Sequence, residues 1–431
     1  KGAHTIKMGA DIAFGRISSN PGASGTAFGS FTFGPRYTNN SYADFILGFP
    51  TNTARQTPSI NNLLYNTRYG IYIQDDWKVN AKLTLNYGMR YTLQTQTQER
   101  DGSFANFDFA KGAYVIRTEG GKLPRLAIPR LLAAYPYVES EKNGWGSNVI
   151  TADHNNFGPR FGFAYRPFND NKTVVRGGLG VFYNIIPVYI GIRQISLSNS
   201  PFQLTETFEA GTTPTLSFAN PFPGAGALSP NPSIVAVNRE IKNTSSVQYN
   251  FTIERELMSN MGLRVSYIGN KSTNLPWAPD VNQMLPSTNF YANRTSLDRP
   301  FPNFGLIFSR DAGANSNYNS LQAELNRRFS KGISFTTAYT LAKNLADNAG
   351  PAPSGFAGET GGGRLTNSYD RRADRGNVYA TRRHRFVSTL VYELPFGKGR
   401  QFMNTASKAA DAVFGGWQIS SILTLQSGPY L

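Results

Sequence analysis

The chain has 431 residues, a formal net charge of +16 and no cysteine, which excludes disulfide frameworks and thiolate metal sites. Its length exceeds the roughly 250 to 300 residues at which a single core stops growing, and this favours a large β architecture or two domains. Aromatic residues make up 13% of the chain and glycines number 42, a richness in strand and turn formers that predicts a mostly β protein.

The basic residues are scattered, except in the run "RRADRGNVYATRRHR" at 371 to 385. No recognised nucleic-acid-binding motif accompanies this run, so we interpret it as a solvated basic loop and expect no nucleic-acid partner. No stretch approaches the ~18 apolar residues of a membrane helix, so any membrane span must be made by strands.

Both ends of the sequence have the pattern of a strand. The start, "KGAHTIKMGADIAFGR", alternates apolar residues with polar or small ones, and the end, "GGWQISSILTLQSGPYL", does the same. We therefore expect a fragment that lacks both ends of its parent chain.

Two-residue alternation along the chain predicts about eleven strands. It is clearest in "LTLNYGMRYTL" at 83 to 93, which places Leu85 and Met89 on one face and Asn86 and Arg90 on the other. Short turns join successive pairs of strands: 68–77 to 83–92, 157–167 to 173–184, 246–257 to 262–270, and 318–329 to 333–343.

Long, polar stretches rich in Gly, Pro and Asn separate these hairpins, at 93–156, 185–245, 271–317 and 344–381. Short and long connections at alternate ends are typical of outer-membrane barrels, which have short periplasmic turns and long extracellular loops. The sequence therefore predicts an all-β, antiparallel, up-and-down transmembrane barrel. Two short helices are predicted outside the strands, in 42–50 and in "TASKAADAVF" within 396–416.

No motif in the sequence indicates catalysis. The histidines His4, His154 and His384 are far apart and lack metal-site spacing. The glycine-rich segment "GETGGGR" at 358 to 364 lacks the context of a phosphate-binding loop. We expect neither an enzyme nor a bound cofactor or metal.

The polar face of the predicted strands is the candidate functional surface. If the apolar faces contact lipid, the polar side chains point into the barrel lumen, where they solvate the pore, pair with a plug or contact substrate. The predicted lumen-lining residues are Asn86, Arg90, Arg160, Arg176, Asn250, Glu254, Arg264, Gln322, Glu324, Asn326 and Arg328.

Several stretches carry a family resemblance: "YGIYIQDDWKVNAKLTLNYGMRY", "FGPRFGFAYRP", "SNYNSLQAELNRRFSKGISFTTAYTLAK" and "ELPFGKGR" followed by "GGWQIS". The most specific piece is "QDDWKVNAKLTLNYGMRY". Across 42 to 431 the chain resembles the barrel of TonB-dependent outer-membrane receptors of the Oar-like group.

The resemblance implies that residues 1–431 form about half of a barrel of about 22 strands in the bacterial outer membrane. It implies that a plug and a carboxypeptidase-regulatory-like N-terminal domain precede this segment, and that TonB supplies energy through that absent region. Outer-membrane lipid and lipopolysaccharide are the implied membrane partners.

Three functions remain open at this point. The first is an importer or receptor for an unidentified ligand such as a siderophore, glycan or peptide. The second is a passive porin or surface adhesin of the outer membrane. The third is a soluble glycan-binding β-protein, in which the apolar strand faces form an internal core.

Overall fold

The computed structural model describes residues 2–19, 28–57, 62–185, 192–197, 199–288, 293–347 and 367–430. The glycine-rich segment 358–364 lies outside these ranges. Within them the strands are β1 His4–Ser19, β2 Ser30–Thr32, β3 Asn52–Thr57, β4 Asn62–Lys78, β5 Leu83–Gln94, β6 Gln98–Glu99, β7 Ala105–Asp108, β8 Ala113–Ile116, β9 Tyr137–Glu139, β10 Phe157–Tyr165, β11 Thr173–Asn184, β12 Leu204–Glu209, β13 Ile234–Val237, β14 Thr244–Met258, β15 Met261–Trp277, β16 Ile307–Ser330, β17 Ile333–Ala346, β18 Gly376–Asn377, β19 His384–Glu393 and β20 Gln418–Gln426.

The helices in the same ranges are short. The α-helices are α1 Ser41–Ile46, α2 Pro129–Ala134, α3 Ile192–Leu197 and α4 Lys408–Phe414, and the 3-10 helices are Glu141–Asn143, Ser296–Asp298 and Arg371–Asp374. The two predicted helices are confirmed as α1 and α4. Each begins at a side-chain cap, Asn40 for α1 and Ser407 for α4, both residue types that are preferred at helix N-termini.

Eleven strands form one antiparallel path, in the order β1-β4-β5-β10-β11-β14-β15-β16-β17-β19-β20. We call this path the wall. Its strands follow one another in chain order, which confirms the predicted up-and-down meander. β1 and β20 lie at the two ends of the path, and the sheet is not closed.

Each strand of the wall presents two different faces. In β4 and β5 the register pairs Ile73 with Met89 on one face and Tyr72 with Arg90 on the other. The first face, which we call the apolar face, carries large uncovered side chains: Met8 is 72% exposed and Phe14 is 82% exposed. We call the second face the polar face. Because the large apolar side chains are not buried against protein, this sheet is not half of a soluble sandwich.

The connections of the wall separate by length. Short turns, such as the one between β14 and β15, lie at one end of the strands, and long connections lie at the other. We call these the turn end and the loop end. The connection through α4, residues 394–417, is the longest at the turn end.

Some strands of the wall are longer than predicted. The stretch 271–317, predicted as a loop, is partly strand because β15 continues to Trp277 and β16 begins at Ile307. After Ile307 and Phe308, the stretch "SRDAGANSN" of β16 carries only polar or small residues on both faces. The two-residue apolar pattern is therefore missing there, although the backbone remains extended.

The long connections were predicted as polar loops, but they bury a hydrophobic core. We call its buried residues, with those that the wall contributes, the loop core. These residues are Leu64, Phe104, Ala105, Phe107, Tyr114, Val115, Ile116, Val149, Ile195, Phe202, Ile234, Ala236, Val237, Phe304 and Ile307. The sheet β7-β8-β9 and the parallel pair β13 and β16 build this region. The sheet β12-β3-β2 packs a separate cluster of Phe208, Ala210 and Leu216.

Buried amide side chains join the separate connections of the loop core. Asn106 donates to the carbonyl oxygens of Val149 at 3.0 Å and Val237 at 2.8 Å, and accepts from the Val237 N–H at 2.9 Å. Asn199 donates to the carbonyl of Ala105 at 2.7 Å. A buried group without such a partner costs about 1–3 kcal/mol, so these bonds specify how the connections pack.

Candidate functional site

All eleven predicted lumen-lining residues lie on the polar face of the wall. The strand register carries this face from β5 to β17, because directly paired residues project to the same side of a sheet. Arg90 pairs with Gly158, Arg160 with Gly88 and Gly180, and Arg264 with both Glu254 and Glu324.

The loop core packs onto this polar face at the loop end. Leu64 of β4 is 1% exposed within the loop core, and its register partner Ile17 packs against the same cluster. Both residues are on the face that carries Arg90, according to the alternation of β4 and its register with β5. The long connections therefore fold over the polar face and leave the apolar face uncovered.

Four of the predicted residues form a charge ladder across four strands. Glu254 lies 3.5 Å from Arg176 and 2.9 Å from Arg264, and Arg264 lies 3.5 Å from Glu324. These side chains are partly exposed, so each pair contributes only about 0–1 kcal/mol. The main effect of the ladder is therefore to hold positive and negative side chains in alternating positions across the polar face, and its contribution to stability is small.

Three further predicted residues, all on β16, lie on the polar face close to the ladder: Gln322, Asn326 and Arg328. Asn326 donates to Thr336 at 2.8 Å, and Gln322 donates to Ser320 at 3.2 Å. The ladder residues Glu254, Arg264 and Glu324 line a cavity of about 500 Å³ at the turn end, together with Asn326 and Arg328.

A second polar cluster joins β1, β4 and β5. Asp76 accepts from Asn86 at 2.6 Å and from Lys7 at 3.0 Å, and Arg90 forms an ion pair with Asp11. Our sequence prediction included Asn86 and Arg90 but missed Lys7, Asp11 and Asp76. The alternation in "IKMGADIAF" and "IQDDW" was the signal that could have found them.

Arg160 has a different environment from the other arginines of the face. Its guanidinium carbon lies 4.7 Å from the ring centroid of Phe182, a cation–π contact across Gly180. No carboxylate pairs with it among the described residues. It lines a recess of about 230 Å³ with Asn86 and Arg90. Asn250 lies on β14, two strands further along the wall, where it pairs with Gly178 of β11.

One carboxylate lies on the apolar face, which the alternation alone did not predict. Asp75 Oδ2 lies 2.6 Å from His4 Nδ1 and accepts from the Tyr87 hydroxyl at 2.8 Å. The His4 ring stacks on Trp77 with centroids 5.2 Å apart. The two partners compensate the cost of a charged group at a hydrocarbon boundary, and they explain a histidine that the sequence left without a carboxylate partner.

Within the described ranges, no helix is long and apolar enough to cross a membrane. The same ranges contain no group of three or more His, Asp or Glu side chains that could hold a metal ion.

A strand wall with one uncovered apolar face and one charged face defines the class of transmembrane β proteins. The chain matches the outer membrane beta barrel domain family over residues 1–431. It belongs to that family and is located in the bacterial outer membrane. This location excludes the soluble glycan-binding alternative. The chain has no significant match among curated proteins.

Solved structures similar to the chain include three receptors or transporters. The siderophore receptor PirA from Pseudomonas aeruginosa is 9% identical, with 88% of this chain and 46% of that one covered and a TM-score of 0.36. The alcaligin outer-membrane receptor FauA from Bordetella pertussis is 10% identical, with coverages of 99% and 47% and a TM-score of 0.36. The iron transporter FrpB from Neisseria meningitidis is 10% identical, with coverages of 91% and 38% and a TM-score of 0.42. The chain spans less than half the length of each.

Proposed function

We propose that the chain is part of the barrel of a TonB-dependent receptor of the Oar-like group, which imports a ligand across the outer membrane without catalysing a reaction. The observation that carries this proposal is the loop core packed on the polar face at Leu64 and Ile17. A passive porin keeps a water-filled channel, whereas a folded body above the charged face suits a receptor that first binds its ligand.

The predicted lumen-lining residues are proposed to face the barrel interior. The charge ladder and the recess beside Arg160 support this orientation, because fixed charges require water, a plug or a ligand around them. We further propose that a plug and a carboxypeptidase-regulatory-like domain precede this segment in the complete receptor, and that TonB acts through them.

The apolar face is proposed to contact outer-membrane lipid and lipopolysaccharide, with the loop end outside the cell. The segment 371–385 contains paired arginines, since both Arg371 and Arg375 contact Asp347. The run was predicted to be a solvated basic loop, but Asp347 is buried, so this part of the run is held by ion pairs. We propose no nucleic-acid partner for it.

A growth test on defined iron, glycan and peptide sources examines the proposal. We expect deletion of the receptor gene and disruption of TonB to abolish growth on the same source, and the wild-type gene to restore it only when TonB is present. Rescue that is independent of TonB would favour a passive porin instead.

Two neighbouring alanine variants test the role of the loop core in import. Leu64→Ala removes a buried side chain from the contact between the loop core and the polar face, whereas Leu63→Ala changes the next residue, which projects to the opposite face. We expect Leu64→Ala to raise the ligand concentration needed for growth and Leu63→Ala to leave it unchanged. Equal behaviour of the two variants would contradict a receptor role of the loop core.

A further inference from the structure

The apolar face changes character along one row of paired residues near the loop end. Gly269 of β15 pairs with Asn319 of β16, which in turn pairs with Lys343 of β17. On the turn side of this row the same face carries Tyr267, Leu321 and Leu341. On the loop side Lys271 and Asn317 lie between Val247 and Leu345. We call the row of Gly269, Asn319 and Lys343 the boundary row.

The boundary row lies at the height expected for the outer edge of the hydrocarbon. Asn319 is about eleven residues from the turn end of β16, or about 37 Å along a strand that rises about 3.4 Å per residue. A strand tilt of about 40° reduces this to a height of about 28 Å, close to the apolar band of about 25 Å in outer-membrane barrels.

A directed chain of hydrogen bonds crosses the boundary row. Tyr249 and Tyr267 both donate to Asn319 Oδ1, at 2.9 Å and 2.8 Å, and Asn319 Nδ2 donates to Asn317 Oδ1 at 2.7 Å. A Cβ at Gly269 would lie 2.1 Å from the Tyr249 ring, so glycine is needed for that ring to reach Asn319. In this series of hydrogen bonds the last side chain is Asn317. Its oxygen accepts from Asn319, and its amide nitrogen is a hydrogen-bond donor.

Two exposed lysines flank this terminal donor. Lys271 is the register partner of Asn317, and Lys343 is the register partner of Asn319. Neither lysine has a carboxylate partner in the part of the chain that the structure describes. Two cations and an amide donor above an apolar surface are complementary to an anionic head group with attached acyl chains.

We propose that Lys271, Lys343 and Asn317 bind a phosphate of a phosphorylated glycolipid of the lipid A type in the outer leaflet. The acyl chains of this lipid pack against Leu321 and Leu341 on the turn side of the boundary row. The assignment rests on the lipid contacts proposed above and is independent of ligand import.

The test titrates the full-length receptor in detergent with lipid A carrying both phosphates and with dephosphorylated lipid A, and native mass spectrometry gives the bound fractions. Each lysine near a membrane surface contributes about 1 kcal/mol, so we expect wild type to prefer the phosphorylated lipid about 30-fold. The double variant Lys271→Gln, Lys343→Gln should lose this preference, and Asn317→Leu should reduce it.

The matched control is the double variant Lys78→Gln, Lys82→Gln, which removes the same charge at the turn end and should keep the wild-type preference. Heat-modifiable migration of every variant checks that the barrel is folded. Equal binding of the two lipids by wild type would overturn the proposal, as would an equal loss in the control. Because the readout is lipid binding, failed import would leave this result intact.

Discussion

The wall and the loop core bury apolar side chains in opposite ways. Phe14 and Phe161 on the wall are 82% and 50% exposed, whereas Phe107 and Phe304 in the loop core are 1% exposed. The wall leaves its apolar surface for lipid to cover, and the loop core covers its own. The stability of the wall should therefore depend on the bilayer, and that of the loop core on packing and hydrogen bonds within the protein.

The largest expected effect comes from emptying the loop core. Phe107 packs against Phe301 and Phe304 with ring centroids 5.1 Å and 5.2 Å away. Phe107→Ala should lower the free energy of opening of the loop core by about 3–5 kcal/mol, as truncation of a buried aromatic residue does. Hydrogen exchange of the amides of β8 in the full-length receptor measures this change. Phe161→Ala on the wall is the control and should leave β8 exchange unchanged.

The two faces of the wall are distinguished by introducing a charge on the same strand. Met89→Arg places a cation on the apolar face and should cost about 2–4 kcal/mol of unfolding free energy in a bilayer. Asn86→Arg is the matched variant on the polar face, beside Asp76, and should cost much less. Denaturant titration of the full-length receptor in lipid vesicles compares them. Equal costs would contradict the assignment of the faces.

A buried carboxylate makes the small sheet β12-β3-β2 sensitive to acid. Burial acts to raise the pKa of Glu206, but the Arg55 and Arg130 guanidinium groups and the Gly226 N–H outweigh it and hold the pKa below its usual value of 4.5. The folded state therefore gains stability above that value and loses it as the pH falls through the lowered pKa.

Hydrogen exchange of β12, corrected for intrinsic rates, should show faster opening at about pH 3 than at about pH 6. Glu206→Gln should lower the opening free energy by about 1.5–3 kcal/mol at neutral pH, because bonds to a charged group are lost. The variant should also flatten the pH dependence. A pH dependence that persists in Glu206→Gln would assign the effect to another group.

The smallest effect is expected for the charge ladder on the wall. Arg264 is about half exposed and pairs with Glu254 and Glu324, so Arg264→Gln should change the unfolding free energy by no more than about 1 kcal/mol. Denaturant titration in bilayers at low and high salt provides the measurement. A decrease of more than about 2 kcal/mol in the unfolding free energy would contradict this expectation, because it would show that the ladder is shielded from solvent and contributes substantially to stability.

The wall could be predicted from the sequence because its information is local. Alternation in β5 places Asn86 and Arg90 on one face, and short turns set the pairing of neighbouring strands. The predicted polar side chains accordingly fall on a single face. The extension of β16 could not be predicted, because after Ile307 and Phe308 it carries only polar or small residues on both faces.

The loop core and the pairings of the face depend on distant residues. Asn106 bonds to Val237, 131 positions away, and Lys7 pairs with Asp76, 69 positions away. No period in a single sequence reports such contacts. The sequence pattern indicated only that the connections were long and polar. The aromatic residues that they bury could not be distinguished, from sequence alone, from the aromatic residues of the strands.

The length of β16 determines which parts of the protein an external macromolecule can touch. Its 24 residues span about 80 Å at about 3.4 Å per residue, far more than a tilted crossing of the hydrocarbon needs. The part of β16 beyond this crossing places the long connections above the lipid surface. With the loop end outside the cell, as proposed above, an antibody or phage tail would meet epitopes on the long connections and on the loop-end part of β16. The rest of the wall lies at the depth of the acyl chains.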